Sequence, residues 1–479
     1  MGRWLPWFCL AWGWGQVSSA STVPNFVIIH VDDLGYADIG PFGSKLNATP
    51  NLDRMAGEGR CLTNHYAAPV CSPSRASLLT GCYPKRVLPI PHVLFPAAAV
   101  GLHPGEVTIA ELLKGKGYRT ACVGKWHLGD QPGLLPTDQG FDSFFGLPYS
   151  NDMGPREDGA KSDFGSEPKP PKAQSNPGGK GDETGLRGDD QPPLPLMRNG
   201  TVIERVGREG QASLTRRYTE EAVRFLKEAG DSPFFLYLAH TAVHFPLYPG
   251  EGFLGRSKNG LLGDWVEEVD WSTGRIFQAL GELGLDARTL VIFTSDNGGT
   301  TRSSNAPLRG FKASTWEGGI RVPTIVRWPG RIPAGGRTTA ITGHLDWLPT
   351  LARLAGAELP PGRVLDGVDL WPALTGGGRP REVFHYFRGA VLEAVREGRW
   401  KLHLGPGALY DLEADPGEAR DLASNRPAEV ERLRVLAGKM EGGLGTTGFG
   451  PECRPLGRHP QPRPLLAPDG SIRPGFEPK

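Results

Sequence analysis

The chain of 479 residues lacks a long hydrophobic run, an excess of charge of either sign and a high cysteine content. No stretch of about 18 apolar residues occurs, so we expect no membrane-spanning helix in the mature chain. A net charge of +1 gives no global field that would attract nucleic acid or a membrane surface. The length allows one large α/β domain and a smaller one, and 67 glycines and 45 prolines indicate many loops.

The N-terminus has the pattern of an export signal. Arg3 precedes a short apolar run, Leu5–Trp14, and small residues then lead to a cleavage site after Ala20. A buried N-terminal strand is the alternative, but Pro6 and Gly13 disfavour it. We therefore expect residues 1–20 to be a signal peptide and the mature protein to be secreted, periplasmic or lysosomal.

Four short apolar runs each end in polar residues. They are Phe26–Val31 before Asp32-Asp33, Thr120–Val123 before Lys125 and His127, Phe234–Leu238 before His240 and His244, and Leu290–Thr294 before Asp296-Asn297. Such runs predict buried strands of a largely parallel sheet. Helical patterns lie between them, at Thr108–Lys116, Thr215–Glu228 and Gly263–Leu283. The alternation predicts an α/β sandwich, in which ligands bind beyond the carboxyl ends of the strands.

The oxygen-bearing residues at these strand ends suggest a metal site. Asp32, Asp33, Asp296 and Asn297 offer three carboxylates and an amide, a set that suits Ca²⁺ or Mg²⁺ better than zinc. The alternative is that both pairs merely form turns.

The segment Cys71-Ser72-Pro73-Ser74-Arg75 opens an apolar helical run. Pro73 suits the first turn of a helix, and Ser72 is the predicted N-cap. Cys71 would then lie beside a helix N-terminus, and Arg75 adds a planar cation suited to an oxyanion. This environment predicts a lowered thiol pKa and an affinity for sulfate or phosphate. Alternatively, Cys71 is a structural thiol or half of a disulfide.

The segment Cys71–Gly81, taken with Asp32–Gly35, Gly124–Gly129 and Ser295–Gly298 in that family's order, resembles the formylglycine-dependent sulfatase family. The resemblance runs from about Pro24 to Leu412 and is greatest to arylsulfatase A and the galactosamine sulfatases. It implies an alkaline-phosphatase-like α/β fold and oxidation of Cys71 to formylglycine by a formylglycine-generating enzyme during maturation. It also implies one Ca²⁺ per chain, held by Asp32, Asp33, Asp296, Asn297 and residue 71.

The same resemblance assigns roles to further residues. It implies that Lys125 contacts sulfate, that His127 orients the formylglycine hydrate, and that Arg75 supports the nucleophile. His244 would contact a substrate oxygen and protonate the leaving group, although His240, four residues earlier, competes for that role.

Two more residues follow from the resemblance. Lys312, in Gly310-Phe311-Lys312, would bind the sulfate group and the leaving oxygen. Ser150 matches a serine near the substrate, and a loop-capping serine is the alternative.

The resemblance implies hydrolysis of a sulfate monoester, either an aryl sulfate or a sulfated carbohydrate. A phosphomonoester or phosphonate hydrolase on the same fold is the alternative enzyme, but only one cation site is visible in the sequence. A sulfoglycan-binding protein without activity would require a missing core residue, and none is missing.

The chain divides into four parts in this interpretation. After the signal peptide, residues 21–380 form the catalytic domain, in which Asp152–Pro195 is either a long polar loop over the site or a disordered insertion. Residues 381–445 form a small α+β domain with an antiparallel sheet from Val391–Leu404 and Ala408–Leu412 and a helix from Glu429–Met440. Residues 446–479 form an irregular tail. If Cys71 is modified, Cys61, Cys82, Cys122 and Cys453 form an even set compatible with disulfides.

Overall fold

The computed structural model describes residues 1–2, 23–154, 158–164, 193–446, 448–467 and 469–478. The strands are β1 (Asn25–Val31), β2 (Arg60–Leu62), β3 (His65–Tyr66), β4 (Val100–Gly101), β5 (Arg119–Gly124), β6 (Ser143–Gly146), β7 (Leu194–Arg198), β8 (Thr201–Val206), β9 (Phe234–Ala239), β10 (Thr289–Ser295), β11 (Thr324–Arg327), β12 (Gly336–Thr338), β13 (Thr342–Gly343), β14 (Val383–Arg388), β15 (Val391–Glu397), β16 (Trp400–His403), β17 (Ala408–Asp411) and β18 (Gly457–Arg458).

The α-helices lie between and around these strands. They are α1 (Pro50–Glu58), α2 (Cys71–Thr80), α3 (Pro84–Val87), α4 (Ile109–Lys114), α5 (Arg208–Gln211), α6 (Leu214–Ala229), α7 (Gly260–Glu282), α8 (Glu317–Ile320), α9 (Trp347–Leu354), α10 (Trp371–Thr375) and α11 (Pro427–Leu444). The three helices predicted between the apolar runs correspond to α4, α6 and α7, the run opened by the Cys71 segment is α2, and the predicted Glu429–Met440 helix lies within α11. In α6 the buried residues recur every three or four positions, for example Tyr218, Ala222 and Leu226, because one face packs on the sheet.

In the described ranges, the large sheet has ten strands in the order β12-β2-β11-β10-β1-β9-β5-β6-β7-β8. Its centre, from β10 to β6, is parallel. Antiparallel pairs extend it on both sides, at β10-β11, β11-β2, β6-β7 and β7-β8. The predicted parallel sheet is therefore the core of a mixed sheet.

The four predicted strands are β1, β5, β9 and β10, and they are neighbours in the order β10-β1-β9-β5. All seven residues of β1 and all six of β9 are buried, because helices cover both faces of the sheet. Their parallel direction brings the four carboxyl ends to the same edge.

A second, antiparallel sheet of four strands, β14-β15-β16-β17, lies near the C-terminus, and α11 packs on β15 and β16. Its apolar residues, such as Tyr386 and Leu402, share a core with Tyr66 and Ile320 of the first part of the chain. The segment after α11 is mostly irregular, yet β18 pairs with β4, and Leu465 and Phe476 join the main core.

The signal peptide, the polar loop and the cysteines were the remaining structural predictions. The predicted signal peptide lies almost entirely outside the described residues, as does most of the polar loop, of which residues 158–164 contain a short 3₁₀ turn at Gly159–Ser162. In the described part of the chain, no helix is both long and apolar enough to cross a membrane. The five described cysteines are free, so the structure contains no disulfide within the even set of Cys61, Cys82, Cys122 and Cys453 that the sequence allowed to pair.

Candidate active site

Two acidic pairs meet at the carboxyl edge of the sheet. Val31, the last residue of β1, is in register with Ser295, the last residue of β10, so Asp32 and Asp296 leave adjacent strands side by side. The backbone N–H of Asp33 donates to Asp296 Oδ1 at 3.2 Å, and Asn297 Nδ2 donates to Asp33 Oδ1 at 2.7 Å. All four side chains are buried. The predicted oxygen cluster therefore forms.

Arg75 lies beneath this cluster and is completely buried. Its Nη2 donates to Asp296 Oδ2 at 2.8 Å and to Asp32 Oδ2 at 3.1 Å, and its Nη1 donates to the carbonyl of Lys125 at 2.8 Å. Burial opposes ionisation of Asp32, but Lys125, His244 and Arg75 together hold its pKa well below the usual value. Burial and the neighbouring Asp32 raise the pKa of Asp296. The planar guanidinium thus links the two acidic strand ends.

Cys71 is the first residue of α2 and is buried at 1% exposure. Its Sγ lies 3.4 Å from Asp32 Oδ1. Two predictions about this segment are wrong. Val70, not Ser72, is the N-cap, and the Ser72 hydroxyl instead accepts from the N–H of Leu94 at 3.1 Å. The pKa of the thiol is raised, not lowered, because burial and the charges of Asp296 and Asp32 outweigh the nearby cations.

Lys125 follows β5 and is buried against Asp32, with which it forms an ion pair. Burial opposes its charge, but Asp32 raises the pKa of the ammonium. Its Nζ also donates to Ser150 Oγ at 3.1 Å, and that oxygen lies 3.3 Å from His244 Nδ1. Ser150 therefore connects two of the predicted substrate-contacting residues.

The structure decides between the two histidines after β9. His244 Nε2 lies 3.7 Å from Asp33 Oδ2, whereas His240 Nε2 is 3.1 Å from the hydroxyl of Ser272 in α7, away from the cluster. The backbone holds His244 in place, because Asp32 N–H donates to Ala242 O and Val243 N–H donates to Asp32 O, both at 2.7 Å. His244, not His240, belongs to the site.

Lys312 reaches the cluster from the opposite side. Its Nζ lies 2.8 Å from Asp33 Oδ1 and 2.9 Å from Asp33 Oδ2. Burial opposes its charge, but Asp33 raises the pKa of this ammonium well above the usual value. Its side chain is 19% exposed, so the site opens to solvent on this side.

His127 is buried with a defined orientation. Its Nε2 lies 2.8 Å from the carbonyl of Leu94, which can only accept, so Nε2 carries the proton. Nδ1 is then an acceptor, and it is buried without a hydrogen-bond partner among the described residues. Burial, Lys125 and Arg75 hold the pKa of His127 well below its usual value, so the ring is neutral. Like Asp33, His127 has a positive φ of about 60°, a strained conformation typical of functional sites.

The donor set fits a hard cation. Carboxylate oxygens of Asp32 and Asp33, the thiol of Cys71 and a ring nitrogen of His244 lie within 4.8 Å of one another. Asn297 Oδ1 is buried without a hydrogen-bond partner in the described structure, as expected of an oxygen that ligates a metal. Three carboxylates and one amide oxygen are ligands of Ca²⁺ or Mg²⁺.

Sequence reasoning missed two contributors to this geometry. The backbone of Leu94 holds both α2 and His127, because its N–H donates to Ser72 Oγ of α2 and its carbonyl accepts from His127 Nε2. The second contributor is Asp152, whose Oδ1 lies 3.9 Å from His244 Nδ1. Nothing in the sequence marks Leu94, because a backbone contact leaves no side-chain signal. Asp152 was visible only as the start of a polar loop.

Comparisons with known proteins identify the family of the chain. The Sulfatase family model matches residues 24–357, and the model "N-sulphoglucosamine sulphohydrolase, C-terminal" matches residues 311–440. Arylsulfatase A of Homo sapiens is 39% identical over 464 residues, covering 86% of this chain and 87% of that protein. N-acetylgalactosamine-6-sulfatase of Canis lupus familiaris is 38% identical, covering 81% and 72%.

Solved structures give the same result. The crystal structure of Ps i-CgsB in complex with k-i-k-neocarrahexaose has a TM-score of 0.75 and 32% identity, and covers 88% of this chain and 93% of its own. A phosphonate monoester hydrolase of Agrobacterium radiobacter, with a TM-score of 0.58, 22% identity and coverage of 87% and 95%, shares the alkaline-phosphatase-like fold. The chain is an enzyme of the sulfatase family.

Proposed function

We propose that this enzyme hydrolyses a sulfate monoester through a formylglycine at position 71 and one Ca²⁺. One observation carries the proposal. Residue 71 faces a buried oxygen cluster at the sheet edge, and Lys125, His244 and Lys312 surround the same cluster. This combination of a nucleophile position, a cation site and a ring of positive groups suits the attack of an oxygen on sulfur.

Asp32, Asp33, Asp296 and Asn297 would hold the cation, with residue 71 completing the set. A bound Ca²⁺ would supply Lewis-acid chemistry at this position. Arg75 holds Asp32 and Asp296 together and balances part of their charge. This role explains why a permanently charged, planar side chain is buried there.

The unmodified thiol is poorly suited to the chemistry, because its raised pKa keeps it protonated. The hydrated aldehyde would supply two hydroxyls on one carbon. One attacks sulfur while the bond from sulfur to the leaving oxygen breaks, and loss of a proton from the other then expels sulfate and restores the aldehyde. Serine or cysteine would lack that second step. A formylglycine-generating enzyme is therefore the proposed partner during maturation.

The chain's polar side chains have separate roles in this proposal. Lys125 and Lys312 neutralise charge on the sulfate oxygens and the leaving oxygen, and His244 protonates the leaving oxygen. Ser150, between Lys125 and His244, orients both toward the substrate. His127 Nδ1 accepts a hydrogen bond from the second hydroxyl and helps to remove its proton.

We extend the proposal to the substrate and to the chain's organisation. The relatives named above suggest an aryl sulfate or a sulfated carbohydrate as the substrate. We also propose export through a signal peptide at residues 1–20, a catalytic domain at 21–380, a small domain at 381–445 and a tail at 446–479. Export would place the protein in a secreted, periplasmic or lysosomal compartment.

Kinetics on matched esters test the proposal against a phosphohydrolase. One cation and the positive side chains suit a monoanionic sulfate ester better than a dianionic phosphate monoester. We expect kcat/KM for an aryl sulfate to exceed that for the matching aryl phosphate by at least about 100-fold, or roughly 2.7 kcal/mol in transition-state stabilisation. Equal rates, or faster phosphate turnover, would favour the phosphomonoester or phosphonate hydrolase instead.

A further inference from the structure

Lys312 lies on a segment that contacts both parts of the protein. This Lys312 segment, residues 309–319, is bonded to two loops of the catalytic part. Lys312 N–H donates to Gly299 O at 3.0 Å, and Ala313 N–H donates to Pro69 O at 2.8 Å. Its further contacts include the hydroxyl of Tyr66 in β3, which donates to Glu317 Oε2 at 2.7 Å, and several residues of the C-terminal region. The position of the Lys312 ammonium therefore depends on both parts of the protein.

Lys401, in β16, is the central contact on the C-terminal side. Its side chain is completely buried, and its Nζ donates to the carbonyl of Thr315 at 2.7 Å. The same Nζ lies 2.9 Å from Glu317 Oε1 and 2.9 Å from Glu418 Oε1, and both carboxylates are fully buried. One ammonium thus connects three groups, two of which belong to the Lys312 segment.

Glu418 and its neighbours add contacts on either side of Lys312. Glu418 Oε2 accepts from the N–H of Glu317 at 2.7 Å, and the Glu418 carbonyl accepts from Arg309 at 3.0 Å. Trp316 lies between Arg309, 3.8 Å from its ring centroid, and the His403 ring, 4.1 Å away. Both ends of the segment are therefore held by residues of the C-terminal region.

The electrostatics of Glu317 agree with this arrangement. Burial opposes its ionisation, but Lys401, Arg321 and Arg396 lower its pKa to about 2. The carboxylate is therefore ionised and binds Lys401 as a charged pair, which is stronger and more directional than a neutral hydrogen bond.

We propose that Lys401 is a positioning residue, which acts with Glu418 to hold the Lys312 segment so that the Lys312 ammonium stays at Asp33. The inference rests on the role of Lys312 in the proposed function. It assigns the C-terminal sheet a part in catalysis although none of its residues touches the oxygen cluster in the contacts described above. Displacement of a catalytic group by about 1 Å can cost roughly 100-fold in rate.

A double-mutant cycle tests whether Lys401 acts through Lys312. Circular dichroism first checks that each variant folds, and kcat and KM are then measured on an aryl sulfate. We expect Lys401→Met to lower kcat at least tenfold with little change in KM, and Lys401→Arg to recover part of the loss because it keeps the charge. In a Lys312→Ala background, Lys401→Met should have almost no further effect on kcat.

A matched control uses another buried ion pair between the two parts. Arg381 pairs with Asp346, and its described bonds go to Asp346, Val383 and Asp366 rather than to the Lys312 segment. Arg381→Met should lower kcat by less than threefold, and to the same extent with or without Lys312.

The outcomes distinguish the positioning role of Lys401 from the catalytic role of Lys312. A normal kcat in folded Lys401→Met, or an equal fold loss in both backgrounds, overturns the positioning role while leaving Lys312 catalytic. A normal kcat in Lys312→Ala overturns the role of Lys312 itself and the positioning role with it. If Lys401→Met does not fold, Glu418→Gln decides, because it removes the charge of the carboxylate that bonds both Lys401 and the N–H of Glu317. Its kcat should fall about threefold only when Lys312 is present, and an unchanged kcat overturns the inference.

Discussion

Replacement of Arg75 by alanine should affect stability and activity together. The guanidinium makes its bonds to Asp32, Asp296 and the Lys125 carbonyl where the side chains of all three partners are inaccessible to solvent. Arg75→Ala leaves two carboxylates buried without this partner, and water cannot reach them without local opening of the site. The decrease in the free energy of unfolding should therefore exceed that caused by losing a solvent-exposed ion pair.

The magnitude follows from burial. Breaking a fully buried pair by removing one partner costs about 3–5 kcal/mol. The loss of the guanidinium that holds Asp32 and Asp296 in place should also lower kcat/KM about 100-fold or more, because these two carboxylates belong to the site that stabilises charge in the transition state.

Arg327→Ala is the matched control. Arg327 also pairs with two carboxylates, those of Glu58 and Asp286, at 2.6 and 2.7 Å, but these are 40% and 34% exposed and can be solvated when it is removed. Its loss should cost about 1 kcal/mol and leave kcat/KM within threefold of the parent. Urea unfolding and aryl sulfate kinetics give both quantities. Equal destabilisation by the two substitutions, or an Arg75→Ala variant with more than a tenth of the parent kcat/KM, would refute the reasoning.

Two further predictions concern the metal and the histidines. Exhaustive dialysis against EDTA should abolish activity and Ca²⁺ should restore it, because the proposed ion would supply a Lewis acid that Arg75, Lys125 and Lys312 cannot replace. Asp296→Ala should behave like the dialysed protein. Full activity in protein that metal analysis shows to be metal-free would contradict this. His244→Ala should lower kcat on an aryl sulfate about 100-fold, whereas His240→Ala should leave kcat within a few fold. The reverse ranking in steady-state kinetics would show that the wrong histidine has been assigned.

The central strands of the large sheet were predictable from the sequence. The strands β1, β5, β9 and β10 are continuous apolar runs, and their parallel order brings Asp32, Lys125, His244 and Asp296 to one edge by a general property of such sheets. The flanking strands β2, β11 and β12 were not predicted, because three or four residues carry no periodic signal. Their pairing, antiparallel for β10-β11 and β11-β2 and parallel for β2-β12, depends on tertiary packing.

The candidate site was likewise only partly predictable from the sequence. Residue identities could be assigned from motifs, but the environment of the Cys71 thiol could not, because Asp32 and Asp296 are brought to it from positions 39 residues before and 225 residues after it along the chain. The residues next to Cys71 in the sequence indicate only a helix N-terminus and Arg75, and these predict the wrong direction for the shift in the pKa of the thiol. The resemblance already favoured His244 over His240, but the backbone bonds between Asp32 and the Ala242–Val243 segment, which hold His244 at the cluster, are invisible in the sequence.

The chemical state of residue 71 tests the central claim most directly. Cleavage after Arg60 and Arg75 releases the peptide Cys61–Arg75, whose mass distinguishes a thiol from an aldehyde. Protein produced with a formylglycine-generating enzyme should carry the aldehyde, resist thiol alkylation at residue 71 and hydrolyse an aryl sulfate in proportion to the modified fraction. An active preparation in which Cys71 is fully alkylated by a thiol reagent would contradict the account.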